Sequence, residues 1–149
     1  MVSTTAMRTP VICAVARTPI GRYRGVFSEM SAVELGICAV KGLIENVGLN
    51  PESKIIDEVL MGQVLQAGAG QNPARQVALG AGLPVSTPST TINKVCGSSL
   101  KSVMIASSAI RAGEYRAVIA GGMESMTNAP HIIRGYRRGE VVDSASLIH

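Results

Sequence analysis

The alternation of short apolar runs with helix-like segments limits the fold of this chain more strongly than any other feature of its sequence. The apolar runs are typical of buried strands, and they occupy residues 11–16, 57–65, 89–93 and 116–120. Segments with helix-start and helix-stop residues separate these runs. Because strands and helices alternate along the chain, we expect an α/β protein in which helices pack on a mixed β-sheet.

Capping residues predict where the first two helices begin. Ser31 is followed three residues later by Glu34, which makes a capping box, and Gly48 is a suitable stop for the same helix. Asn72 is a suitable cap for a second helix, with Pro73 at its first position.

A third helix is predicted over residues 98–111, with Gly113 as its stop. We expect it to be mostly buried, and its core face to consist of Leu100, Val103, Met104 and Ile110. Its remaining small residues would allow neighbouring backbone to approach closely.

Composition excludes several classes of protein. Hydrophobic residues make up 46% of the 149 residues and charged residues 16%, which is typical of a packed globular chain. The net charge of +4 comes from scattered basic residues, and three tyrosines and one phenylalanine are too few for a nucleic-acid stacking surface. The apolar runs are too short to span a bilayer, so we expect neither a nucleic acid nor a membrane as partner.

The cysteines favour a reducing compartment. Cys13, Cys38 and Cys96 are widely spaced and form no C-x-x-C pair, which argues against a disulfide framework or a zinc site. We therefore predict a cytoplasmic protein, with an organellar matrix left open. Cys13 lies within the first apolar run and Cys38 within the first predicted helix, so both are expected to be inert core thiols.

Cys96 stands at a different kind of position, between the third apolar run and the helix predicted to begin at Ser98. Amide N–H groups at a helix start have no intrahelical acceptor, and the helix dipole is positive there. Both effects favour a thiolate, and the same amides could stabilise an oxyanion on a substrate carbonyl. Cys96 is therefore the candidate nucleophile, although a lone cysteine is more often a core residue.

The other polar motifs are weaker. The glycine-containing loop at residues 67–71 lacks the remaining residues of a dinucleotide or P-loop motif, so we interpret it as a tight loop capped by Asn72. His131 follows a proline in a loop and His149 is the last residue, so neither is a convincing catalytic base. The two histidines cannot build a metal site, and none is expected.

Four ordered segments make the sequence resemble the thiolases, in particular those that are acetyl-CoA acetyltransferases. They are RTPIG at residues 17–21, GQVLQAG at 62–68 with QNPARQ at 71–76, NKVCGSSLK at 93–101, and GGMESMTNAP at 121–130. The resemblance covers nearly the whole chain from Val11 onward. It implies a thiolase-like fold, of which this chain is an incomplete amino-terminal half.

The resemblance also implies the chemistry. Cys96 would take the acyl group as a thioester, and its backbone N–H would serve one oxyanion hole. The reaction would be the Claisen condensation of two acetyl-CoA molecules to acetoacetyl-CoA, or the reverse thiolytic cleavage by CoA. Coenzyme A would be substrate and product, with no metal or redox cofactor, and residues that bind it are not assigned.

The resemblance further predicts that the chain is incomplete as an enzyme. Residues 1–123 would be the amino-terminal domain without its returning last segment, and residues 124–149 the start of an inserted loop region. The second catalytic cysteine and the histidine of the family belong to the carboxy-terminal half, which would have to be supplied by another chain. We expect no turnover by this chain alone, and a homodimer or homotetramer through its sheet edge and helices.

Two alternatives stay open at this stage. A ketoacyl synthase of the same superfamily also places a cysteine at a helix start, but takes acyl groups from a carrier protein. A non-catalytic assembly module would keep the fold without the activity. The sequence leaves open the acyl chain length, the direction of the reaction, and whether the end at His149 reflects a shortened polypeptide, proteolysis or a split enzyme.

Overall fold

The computed structural model describes residues 8–133, 139, 147 and 148. Three α-helices and three main strands alternate in it: α1 (Ala32–Asn46), β1 (Glu58–Gly62), α2 (Pro73–Gly80), β2 (Ser89–Ile92), α3 (Ser98–Ala112) and β3 (Val118–Gly122). Two short strands follow, β4 (Ile132–Ile133) and β5 (Leu147–Ile148), and Pro51–Ser53 and Met126–Asn128 form single 3₁₀ turns. The predicted α/β class is confirmed.

The three main strands form one parallel sheet in the order β2-β1-β3. Val59 of β1 pairs with Ser89 of β2, and Gly62 at the end of β1 pairs with Gly122 at the end of β3. Antiparallel pairing occurs between β4 and β5, which form a separate two-stranded sheet. Because the main strands are parallel, their carboxyl ends meet at one edge, which is where open α/β sheets bind ligands.

Helices cover both faces of the parallel sheet. Val59 and Met61 point to one face and join the buried cluster that α1 and α2 supply. Leu60 and Gly62 point to the opposite face because side chains alternate along a strand. The first turn of α3 packs against Gly62 on that face. The sheet is therefore the middle of three layers.

The predicted helix starts are confirmed. The Ser31 hydroxyl accepts the Glu34 N–H at 3.2 Å, and a Glu34 carboxylate oxygen accepts the Ser31 N–H at 2.8 Å. Asn72 caps α2, with Pro73 at the first helical position. Gly113 ends α3 in the left-handed conformation at φ +80°. These signals are local, which is why the sequence reveals them.

The strand predicted over residues 11–16 is absent. Val11, Ile12 and Val15 are 72%, 81% and 77% exposed, and these residues join no ladder. A strand needs a neighbour to satisfy its backbone N–H and C=O groups, and none of the described residues supplies one here. Cys13 is consequently exposed, and its predicted role as a core thiol is wrong.

The predicted burial of α3 is also wrong, although its bounds are close to the prediction. Its buried residues are Ser98, Ser102, Ala106 and Ala109. Leu100 and Met104 are 67% and 53% exposed on the opposite side. The sheet carries glycines beneath α3, so the helix approaches through its small residues and turns its larger ones outward. Cys38 is likewise exposed on α1, because Ala32, Gly36 and Val40 form the buried stripe there.

None of the helices within the described ranges is both long and apolar enough to cross a membrane. The division of the chain at residue 123 remains a prediction.

Candidate active site

Cys96 lies in the short connection between β2 and α3, at the carboxyl edge of the parallel sheet. Its side chain is exposed. Gly97 is the residue before the first helical position, with φ −96°, and Ser98 begins the helix. The predicted strand-to-helix junction is therefore confirmed, and the thiol stands at the positive end of a 15-residue helix.

The residue before the cysteine has a strained backbone. Val95 has φ +48°, in the left-handed region that a β-branched side chain strongly disfavours. Such a conformation costs on the order of 1–3 kcal/mol and persists only where the surroundings impose it. It tightens the turn that presents Cys96 to solvent.

Two polar side chains impose this conformation. The Asn93 side-chain oxygen accepts the Val95 N–H at 3.0 Å. The Ser98 hydroxyl donates to the Val95 carbonyl at 2.6 Å and accepts the Lys94 N–H at 2.9 Å. Ser98 is 4% exposed, so its hydrogen bonds are shielded from water. The turn is thus fixed from both sides of the strained peptide.

Two backbone N–H groups at the start of α3 find acceptors within the turn itself. The Gly97 N–H donates to the Lys94 carbonyl at 3.0 Å, and the Ser98 N–H donates to the Val95 carbonyl at 3.1 Å. The amide of Cys96 belongs to the same turn, in which Lys94 and Cys96 form an isolated parallel bridge. That amide could stabilise negative charge on a bound carbonyl oxygen.

Glu124 and Asn93 tie the strand ends together. The two Glu124 carboxylate oxygens accept the Val64 N–H at 2.8 Å and the Leu65 N–H at 3.3 Å. The Asn93 amide donates to the Val64 carbonyl at 3.1 Å. The segments after β1, β2 and β3 therefore meet at Val64 and Leu65. Sequence reasoning missed these roles, because the three segments are far apart along the chain.

A side chain of α2 binds the loop after β1. The Gln76 amide donates to the carbonyls of Ala69 and Gln71 at 2.8 and 3.1 Å. A Cβ on Gly70 would lie 2.8 Å from the same amide nitrogen. Asn72 caps α2 as predicted, and the two Gln76 hydrogen bonds hold the loop close to the start of that helix.

The remaining candidates lie apart from the junction along the chain. Cys13 and Cys38 are exposed thiols before and on α1. His131 is exposed in the segment before β4, and His149 lies outside the described residues. Across residues 8–133, 139 and 147–148, no three His, Cys, Asp or Glu side chains gather as a metal site.

A cysteine at a constrained strand-to-helix turn, at the carboxyl edge of a parallel sheet, defines an α/β protein with a candidate cysteine nucleophile. Residues 10–147 match the family model described as thiolase, N-terminal domain, and the chain belongs to the thiolase family.

Curated relatives agree with the family. The chain is 49% identical to an acetyl-CoA acetyltransferase of Cupriavidus necator, over 95% of this chain and 36% of that protein. It is 48% identical to a cytosolic acetyl-CoA acetyltransferase of Gibberella zeae, over 92% of this chain and 34% of the relative. It is 52% identical to a mitochondrial acetyl-CoA acetyltransferase of Danio rerio, over 83% of this chain and 29% of the relative. The chain thus spans about a third of the length of these relatives.

Proposed function

We propose that this chain is the nucleophile-bearing part of an acyl-CoA acyltransferase, in which Cys96 receives an acetyl group from acetyl-CoA. The observation that carries the proposal is the exposed Cys96 thiol at a strained turn before a helix, in a chain of the thiolase family. The relatives' name, acetyl-CoA acetyltransferase, supports acetyl-CoA as the substrate. The family match favours this function over that of a ketoacyl synthase.

The proposed first step is a thioester exchange. The Cys96 thiolate attacks the carbonyl carbon of acetyl-CoA, and a new C–S bond forms to the protein. The bond from that carbon to the CoA sulfur breaks, and CoA leaves as a thiolate that takes a proton from solvent. The helix dipole of α3 stabilises the attacking anion, and the Cys96 amide stabilises the carbonyl oxygen while it carries negative charge.

The later steps need groups from outside this chain. Condensation to acetoacetyl-CoA, or thiolysis in reverse, requires proton transfers, and a base within hydrogen-bond reach of its proton. We propose that a carboxy-terminal thiolase half supplies these groups. We also propose self-association through the outer edge of β2, which pairs with no further strand within the described residues.

The test compares three exposed cysteines in one molecule. Treat the 149-residue chain with limiting iodoacetamide and measure the alkylation of each cysteine by peptide mass spectrometry. If exposure alone determined the rate, iodoacetamide would alkylate Cys13, Cys38 and Cys96 at similar rates, because all three are exposed. We expect Cys96 to react about tenfold faster than either of the others, because it stands at the positive end of α3, where the helix dipole stabilises an attacking anion.

A second arm tests the substrate. Incubation with acetyl-CoA should add one acetyl group at Cys96 and block its alkylation, while leaving Cys13 and Cys38 reactive. Cys96→Ser should abolish the acetylation, and Cys13→Ser and Cys38→Ser should leave it unchanged. Equal reactivity of the three thiols together with no acetylation would instead favour the non-catalytic assembly module.

A further inference from the structure

We propose that Gly62 and Gly122 are positioning residues that set the first turn of α3 on the sheet and thereby hold the Cys96 turn in its reactive shape. The inference rests on the proposed function of Cys96. The two glycines pair with each other at the ends of β1 and β3, on the face that α3 covers. Neither belongs to the turn itself.

Gly62 lies against the backbone of α3. A Cβ at this position would fall 2.5 Å from the Ser98 carbonyl carbon and 2.6 Å from the Ser99 nitrogen. Real Cβ atoms do not approach backbone atoms so closely, and a helix backbone cannot rotate out of the way as a side chain can. Any side chain at Gly62 must therefore push the start of α3 off the sheet.

Gly122 lies against a side chain of the same turn. Its Cβ would collide with the Ser99 hydroxyl oxygen and would lie 2.9 Å from the Ser99 Cβ. The Gly62 carbonyl oxygen would be 3.1 Å away, which a small shift can relieve. The clash at Gly122 thus comes mainly from Ser99, and a smaller residue at that position would remove it.

Glycine is required here for close approach and not for an unusual backbone. Among the described glycines with positive φ are Gly68, Gly70 and Gly82, and neither Gly62 nor Gly122 is one of them. The neighbouring Gly121 makes a useful contrast, because its Cβ would meet only the Met61 side chain, at 3.6 Å, which is ordinary van der Waals contact. Alanine fits the backbone of all three positions, so steric contact alone distinguishes them.

The first turn of α3 is linked to Cys96 through Ser98. The Ser98 hydroxyl binds the Val95 carbonyl and the Lys94 amide, and these bonds hold Val95 in its left-handed conformation. Displacing Ser98 would break them, and Val95 would relax to an ordinary backbone. The thiol of Cys96 would then lose its alignment with the helix start.

The experiment uses Gly62→Ala, Gly122→Ala and the matched control Gly121→Ala in the 149-residue chain. The readout is the rate of Cys96 alkylation divided by the rates of Cys13 and Cys38 in the same sample. We expect this ratio, and the rate of acetylation by acetyl-CoA, to fall roughly tenfold in Gly62→Ala and Gly122→Ala. Gly121→Ala should retain the wild-type ratio.

A double variant separates positioning from general damage. Ser99→Gly removes the atoms that meet a Cβ at Gly122, but not the backbone atoms that meet one at Gly62. We expect Ser99→Gly to restore the ratio in Gly122→Ala and to leave it low in Gly62→Ala. A fold defect would not follow this pattern, and far-ultraviolet circular dichroism checks the helix content of each variant.

Crystal structures of Gly62→Ala and Gly122→Ala allow the proposed function of Cys96 and the positioning role of the two glycines to be tested separately. If α3 starts at a displaced position in the variants, but Cys96 of the wild type is alkylated no faster than Cys13 and Cys38, the proposed function is wrong and the steric role of the glycines stands. If Cys96 of the wild type is alkylated faster than the other two cysteines and the ratio is unchanged in both variants, the inference is wrong. It is also wrong if α3 is not displaced in the variants.

Discussion

At the scale of single residues, the sequence predicted the position of Cys96 at a helix start but not the contacts that hold the turn. Cys96 was predictable because the change from a strand pattern to a helix pattern is local. The left-handed Val95 was not, because valine is among the residues least suited to φ +48°. Asn93 and Ser98 impose that conformation through hydrogen bonds that exist only once the turn has formed.

Asp57 carries the clearest pH-dependent contribution to stability. Its carboxylate accepts the Arg116 and Ala117 N–H groups at 2.6 and 3.1 Å, just before β3. These two backbone hydrogen bonds, helped by the nearby Arg116 charge, hold the pKa of Asp57 below its ordinary value of 3.8. A lowered pKa in the folded state contributes stability that is present above the unfolded value and lost as pH falls through the folded value.

We expect Asp57→Asn to lower the free energy of unfolding by about 1–2 kcal/mol at pH 7, because a neutral amide oxygen accepts more weakly than a carboxylate. The difference from wild type should shrink below about pH 4 and disappear once Asp57 is protonated in the folded state. Urea denaturation at a series of pH values measures this difference in the free energy of unfolding. The exposed Glu29→Gln is the control, and a pH-independent difference for Asp57→Asn would contradict the assignment.

At the scale of elements, local signals were reliable and long-range packing was not. The helix starts at Ser31 and Asn72 follow from residues within four positions of each cap. Two predictions failed because they depend on neighbours that are distant in sequence. Residues 11–16 have no strand beside them, and α3 has a reversed face, which means that its small residues and not its large apolar ones face the sheet. The sequence pattern of α3 contains both an apolar stripe and a small-residue stripe, and only the glycines of the sheet decide which one faces inward.

The reversed face of α3 predicts opposite responses on its two sides. Leu100→Gln, on the exposed side, should change the free energy of unfolding by less than about 0.5 kcal/mol. Ala106→Leu, at a position that is 7% exposed, should cost roughly 1–3 kcal/mol, because the helix has no room for a larger residue against the sheet. Urea denaturation of both variants gives the comparison. A larger loss for Leu100→Gln than for Ala106→Leu would mean that the apolar stripe faces the core.

At the scale of the whole molecule, the described residues provide the proposed nucleophile, Cys96, and the turn that supports it. The two oxygens of Glu124, the acidic side chain tied to the strand ends, both accept backbone amides and serve the scaffold. The relatives are about three times as long as the matched region. The exposed apolar side of α3, with Leu100 and Met104, is a surface that a further thiolase segment could cover.

This division predicts thioester exchange at Cys96 without turnover of acetoacetyl-CoA. The 149-residue chain, supplied with acetoacetyl-CoA and CoA, should form no acetyl-CoA, because cleavage of the carbon–carbon bond expels a carbanion that needs a proton donor, and we propose that this donor comes from a carboxy-terminal half. Loss of acetoacetyl-CoA measured spectrophotometrically gives the turnover, and intact mass gives the acylated fraction. The full-length acetyl-CoA acetyltransferase of Cupriavidus necator, assayed alongside, should turn over continuously. Sustained turnover by the chain that disappears in Cys96→Ser would show that its own residues complete the active site, and the requirement for a carboxy-terminal half would be wrong.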